Sequence, residues 1–261
     1  MRSGTGSGRR TVPVVATFSQ RGGVGKTATA VNVALQLGSR GHRVGLVDLD
    51  FLSPGIGSFL GSWAPRSTLS LGDYLLGNCE IAETAYQPDL GAFAADLRVV
   101  PSWLRMETAH ELLTRGYDIG LLTEAFGDLA EALELDLVLL DSHGGLNNET
   151  VAAMACADLL LVVGRANLYD LSTARQAAKL IGNFSRASRL LVLNMVPPIL
   201  PPQRLAFLQS AYQCHHHVAL PLCEDLPDTA GQLAVSIAHP DHRLTSAYRN
   251  LADHVGQQLL R

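Results

Sequence analysis

Two lysines stand among the 20 basic residues of this chain, and one of them, Lys26, closes the run Arg21, Gly22, Gly23, Val24, Gly25, Lys26, Thr27. Glycines at this spacing let backbone N–H groups curl around an anion, and a helix starting at the lysine adds the positive end of its dipole. An ammonium group at Lys26 reaches outer phosphates, and the Thr27 hydroxyl is a hard oxygen ligand for magnesium. The run reads as a phosphate-binding loop, although Gln20 stands where the commonest form of that motif has its first glycine. Three carboxylates complete the set. Asp48 and Asp50 sit at i and i+2 where an apolar segment ends, and Asp141 ends another before Ser142, His143, Gly144 and Gly145. In a phosphate-loop site one such acid stands on the magnesium side and a second orients the attacking water.

These residues need a scaffold that delivers them to one edge. Residues 12–18 read as a buried strand and 28–37 as the helix behind the loop. Further strands are expected at 43–48, 97–100, 135–141, 158–163 and 189–194. Helices are expected at 69–76, 79–86, 107–114, 119–133, 149–156, 168–181, 202–212 and 243–260. Continuous apolar strands alternating with helices predict an α/β fold, a mostly parallel sheet with helices on both faces, which sets ligand chemistry at the carboxyl ends of its strands. Residues 1–10, rich in Gly and Arg, read as a flexible tail, and 11–261 as a single phosphate-loop domain.

Composition narrows the class. At 47% hydrophobic residues the chain buries a large core, yet no uncharged apolar run approaches the roughly 20 residues that span a bilayer. Residues 1–10 lack the apolar segment of a secretory signal, so a cytoplasmic location is expected. Cys79, Cys156, Cys214 and Cys223 form no Cys-x-x-Cys pair and read as reduced thiols; three adjacent histidines, His215 to His217, cannot all face one ion from a regular element. The net charge of −4 is unevenly spread. No acid lies between Leu171 and Cys223, while Arg175, Lys179, Arg186, Arg189 and Arg204 do, a candidate face for non-specific DNA and hence for nucleoid association. At the C-terminal end Leu244, Tyr248, Leu251, Val255 and Leu259 form a stripe at helical spacing with few cations beside it. That is the pattern of a core-packed helix and makes a membrane anchor the weaker expectation.

The loop resembles that of the ParA/MinD family of ATPases, whose pattern is Lys-Gly-Gly-x-Gly-Lys-Thr. The resemblance covers nearly the whole chain and implies ATP and magnesium (Mg2+) as cofactors, and a homodimer bridged by ATP. It also implies an activating protein partner and a switch that positions or partitions a cargo. It places Gly22 to Gly25, Lys26, Thr27 and Ala28 around the phosphates and puts Thr27, Asp48 and Asp141 toward magnesium. Asp50 becomes the residue that polarises water, and Asn194 with the Pro221–Leu222 backbone lines the adenine pocket. Arg21 replaces the family's signature lysine, which reaches the partner's phosphates across the dimer, and His143 replaces a proline of the second switch. Both departures leave open an alternative, a nucleotide-binding interaction module with little hydrolysis. Cluster-carrying relatives are disfavoured by the missing cysteine pair, and nothing marks the carboxylic substrate site of the amide-forming relatives.

Overall fold

The computed structural model describes residues 12–61, 64–65, 68–103, 105–226 and 233–260; the expected tail at 1–10 lies outside them. Seven strands form one sheet in which every pairing is parallel. They are β1 (Val14–Phe18), β2 (Val44–Asp48), β3 (Leu97–Val100), β4 (Leu137–Asp141), β5 (Leu159–Arg165), β6 (Ser188–Val196) and β7 (His216–Pro221), in the order β3-β2-β4-β1-β5-β6-β7. The central strands are Val- and Leu-rich because both of their faces are covered. Alternate residues divide between two cores.

On one face Ala16, Phe18, Val138, Leu140, Leu160 and Val162 meet α5 (Gly120–Ala132), α6 (Asn148–Cys156), α7 (Leu168–Phe184) and α8 (Pro202–Tyr212). On the other, Val15, Leu46, Leu139, Leu161 and Val192 meet α1 (Lys26–Gly38) and α10 (Arg243–Leu259). Tyr248, Leu251 and Val255 of α10 are buried and Leu244 and Leu259 pack beside them, so the terminal apolar stripe faces the sheet.

Most expected elements are present within two or three residues of their expected bounds. The differences have local causes. Residues 79–86 form only a short 3-10 turn at Ile81–Thr84, because Tyr86 leaves the helix to pair with Val99. Three elements come in addition to those expected: α2 (Ile56–Leu60), α9 (Val235–Ala238) and the edge strand β7. Helices α3 (Leu71–Leu75) and α4 (Met106–Arg115) close the β2–β3 side of the sheet's first face.

Candidate functional site

The loop leaves β1, which lies between β4 and β5, and delivers Lys26 to the first turn of α1. Gly23 and Gly25 take left-handed conformations, with φ of +72° and +98°, and a Cβ at Gly25 would stand 2.1 Å from Nδ2 of Asn194. Both dihedral and space therefore require glycine at position 25. Neighbouring strands hold the loop's carbonyls: Asn194 Nδ2 donates to Val24 O at 2.8 Å, and the Arg165 guanidinium donates to Gly23 O. Carbonyls fixed toward β5 and β6 turn successive amides the other way, the geometry of an anion cradle.

Lys26 is only 7% exposed. Burial pulls its pKa down while the carboxylates of Asp141 and Asp50 pull it up. Asp48 and Asp141 are register partners across β2 and β4 and both are buried. Asp48 gives Oδ1 to the Asp50 N–H at 2.9 Å and Oδ2 to the N–H groups of Gly55 and Ile56 at 3.1 and 3.5 Å. Desolvation, with Asp141 beside it, raises its pKa well above the carboxylate range. Asp141 Oδ1 accepts from the Thr17 hydroxyl at 3.1 Å, whereas Oδ2 is buried and has no hydrogen-bond partner among the described residues. Burial pushes the Asp141 pKa up to about 6, against the Thr27 hydroxyl and the Lys26 ammonium that draw it back. A buried carboxyl oxygen without a donor, next to a threonine hydroxyl, suits a cation that takes one or two protein oxygens and the rest from phosphate and water. That is the coordination habit of magnesium.

Asp50 stands just beyond β2. Its Oδ1 accepts the N–H groups of Leu52 and Ser53 at 3.1 and 2.8 Å, and its Oδ2 meets Nδ1 of His143 at 2.9 Å. The segment after β4 is pressed onto the phosphate loop. The Gly145 N–H donates to Ser19 O at 2.9 Å, and a Cβ on Gly144 would lie 2.4 Å from the Gly22 nitrogen. Arg21 is half-buried in this contact region and its carbonyl accepts from the Ser19 hydroxyl.

The structure thus gathers Lys26, Thr27, Asp48, Asp50 and Asp141 at one edge, on the β4 side of the loop. Asn194, Pro221 and Leu222 fall on the other side, at the ends of β6 and β7, where the Leu222 N–H donates to Val196 O. Both polar ends of Asn194 are engaged within the chain, the second by the Met195 N–H at 2.9 Å. Thr17 and Arg165 belong to the same constellation and escape a reading of the motif alone. Their only signal is a polar residue inside an apolar strand and a cation at a strand end.

Away from this edge, Arg175 and Lys179 are exposed one turn apart on α7, with Arg186 and Arg204 exposed nearby in sequence. The Arg175 guanidinium lies 5.8 Å above the Phe207 ring of α8, and Arg189 donates to Gln213. The histidines at 216 and 217 alternate along β7. Cys223, Asp225 and His242 approach one another, but His242 caps α10, its Nδ1 accepting the Leu244 N–H. The neutral ring then carries its proton on Nε2, facing Asp225, which removes the lone pair that a metal would use.

A family model described as an AAA domain matches residues 12–192. The antiactivator FleN of Pseudomonas aeruginosa is 29% identical over 182 residues, covering 70% of this chain and 61% of that protein. The chromosome partitioning protein ParA of Myxococcus xanthus is 32% identical over 164 residues, covering 62% and 56%. Each match therefore spans less than two thirds of the relative's length. In fold, the chain is similar to the septum site-determining protein MinD of Pyrococcus horikoshii, solved with Mg-ADP. The TM-score is 0.78 at 21% identity, over 95% of this chain and 97% of that one.

Proposed function

The chain belongs to the ParA/MinD family of P-loop ATPases, and from that premise we propose that it is an ATP-driven dimerisation switch that positions or partitions a cellular cargo. One observation carries the reading: the unpartnered, buried Asp141 Oδ2 beside Thr27 and Lys26, at the mouth of a glycine loop that heads a helix. That oxygen supports a magnesium-nucleotide site, and Asp50 beside it supplies the carboxylate that hydrolysis needs.

The amides of residues 22–28 and the Lys26 ammonium would hold the β- and γ-phosphates. Thr27 and Asp141 would hold magnesium, which neutralises charge on the phosphates, while Asp48 braces the loop that carries Asp50. Asp50 would orient the water whose oxygen attacks the γ-phosphorus as the bond to the β-phosphate oxygen breaks, giving ADP and phosphate. Arg21 keeps the charge of the signature lysine in a planar fork that can grip a partner's phosphate. Asn194 would read adenine beside the Pro221–Leu222 backbone, exchanging its bond to Val24 O for one to the base. Hydrolysis is stimulated when a protein partner docks. The exposed cations Arg175, Lys179 and Arg186, with Arg189 behind them, offer the switch a non-specific DNA surface.

Light scattering on size-exclusion fractions tests the switch directly. Asp50→Ala with ATP should elute as a stable dimer and release no phosphate, the ADP form should be monomeric, and Lys26→Ala should bind neither nucleotide by calorimetry. An oligomeric state indifferent to nucleotide, or full turnover by Asp50→Ala, would remove the proposal in favour of a passive binding module.

A further inference from the structure

Among the described residues the segment after β2 and the segment after β4 are joined by a side-chain bond from His143 Nδ1 to Asp50 Oδ2 at 2.9 Å. An ionised carboxylate can only accept, so the imidazole carries its proton on Nδ1, the tautomer that a free histidine side chain does not favour. His143 is itself firmly placed. The preceding residue is tied to β1, the Ser142 hydroxyl donating to Thr17 O at 2.6 Å, and the His143 carbonyl accepts from the Thr150 hydroxyl at 3.4 Å. The next residue, Gly144, packs so closely on the Arg21–Gly22 peptide that a Cβ there would lie 2.4 Å from the Gly22 nitrogen, and the Gly145 N–H donates to Ser19 O. The segment after β4 is therefore seated on the phosphate loop by its backbone, and the imidazole is the strut that reaches from it to Asp50.

Asp50 has two carboxylate oxygens with different neighbours. Oδ1 already takes two backbone N–H groups of its own loop, which fixes where the carboxylate sits but leaves its tilt to Oδ2. Among the described residues His143 is the side chain that bonds Oδ2, and proline, the residue of the family pattern at this position, has no donor to offer. We infer that His143 is a positioning residue which, through its Nδ1–H, sets the orientation of Asp50 and ties it to the segment after β4 that sits on the phosphate loop. The inference rests on Asp50 orienting water as proposed above. The consequence is that any displacement of the segment after β4 reaches Asp50 through a side chain, in addition to the backbone.

The bond can be read without nucleotide. Protein labelled with 15N-histidine, at a pH of about 8 where unperturbed imidazoles are neutral, should show a ring in the Nδ1–H tautomer besides that of His254, whose Nδ1 faces the Asn250 carbonyl at 2.9 Å. That ring should be identified as His143 by its loss in His143→Ala, and it should revert to the Nε2–H form in Asp50→Ala. In turnover, His143→Ala and His143→Pro should lower kcat by about 10- to 100-fold, the scale of a misaligned group, with KM for ATP within about twofold of the parent. His143→Asn, whose Nδ2–H sits close to the imidazole Nδ1 position, should restore most of the rate. An Nε2–H tautomer for His143 with normal turnover overturns the strut alone. Equal losses in the Ala and Asn variants, accompanied by weaker ATP binding, overturn it as a merely structural residue. Absence of turnover in the unsubstituted protein with ATP, magnesium and DNA sinks the ATPase reading instead, and with it the positioning role, whatever the tautomer.

Discussion

Asp141 is the residue at which stability and chemistry conflict most sharply. Its carboxyl is fully buried, stands in register with a second buried acid, Asp48, and keeps one oxygen without a donor. A folded-state pKa raised to about 6, against an unfolded value near 4, means that the native state binds the proton more tightly than the unfolded chain. Stability from this group therefore falls as pH rises from about 4 to 6, and at pH 8 the full cost, on the order of 2–3 kcal/mol, is present. Asp141→Asn removes the charge and keeps an oxygen for Thr17. Its new amide needs an acceptor, which offsets part of the gain. The nucleotide-free variant at pH 8 should melt about 2–5 °C above the parent. The same variant should lose the extra thermal protection that magnesium adds to ADP. Scanning fluorimetry with and without each ligand checks both; a lower melting point, or undiminished magnesium dependence, would show that the oxygen is not a ligand position.

At the scale of elements, what could be read in the sequence followed from burial. β1, β2, β4 and β5 are apolar on both faces and therefore announce themselves, and the loop–helix junction at Lys26 is written in its glycines. β7 was not legible, because an edge strand needs only Val218 and Leu220 inside and its remaining positions are two histidines, an alanine and a proline. The Asp50–His143 contact was not legible either. Both residues stand out at their strand ends, but pairing them depends on β2 lying beside β4, a topological fact that no local pattern encodes. The α3–α4 junction was legible only in part, as helices without their clasp. There Asp73, 2% exposed, accepts from the Ser70 N–H at 2.9 Å and hydroxyl at 2.6 Å, and from Arg105 at 2.7 Å. Burial works to raise its pKa, but the bonds from Ser70 and Arg105 prevail and the net shift is downward. A depressed carboxyl stabilises the fold above its unfolded pKa, near 4, and loses that contribution as pH falls through the folded value. Asp73→Ala should cost about 2–3 kcal/mol at pH 7. The gap between variant and parent in urea melts should narrow as the buffer is taken from pH 5 to pH 3; a gap independent of pH would assign the loss to packing.

For the molecule as a whole, the parallel sheet separates two tasks. The carboxyl ends of β1, β2 and β4 carry the residues proposed for phosphate chemistry, while α7 and α8 pack on β5 and β6 and present cations to solvent. The net charge of −4 is no obstacle to an anionic partner, because at about 0.15 M salt exposed charges act only over a Debye length of about 8 Å, and local clusters decide. Phe207 lies beneath the Arg175 guanidinium at 5.8 Å, a cation–π contact that would reduce the entropy lost if this face met a phosphate. If this face engages DNA, the double substitution Arg175→Glu and Lys179→Glu should abolish retention on a non-specific duplex while leaving ATP-dependent dimerisation unchanged. The single substitution Lys179→Ala should lower the slope of log K against log salt by about 0.9. An unchanged salt slope with the full set of cations reduced would mean that the acid-free stretch is only a solvated surface. The switch would then have to be anchored to its cargo through a protein partner instead.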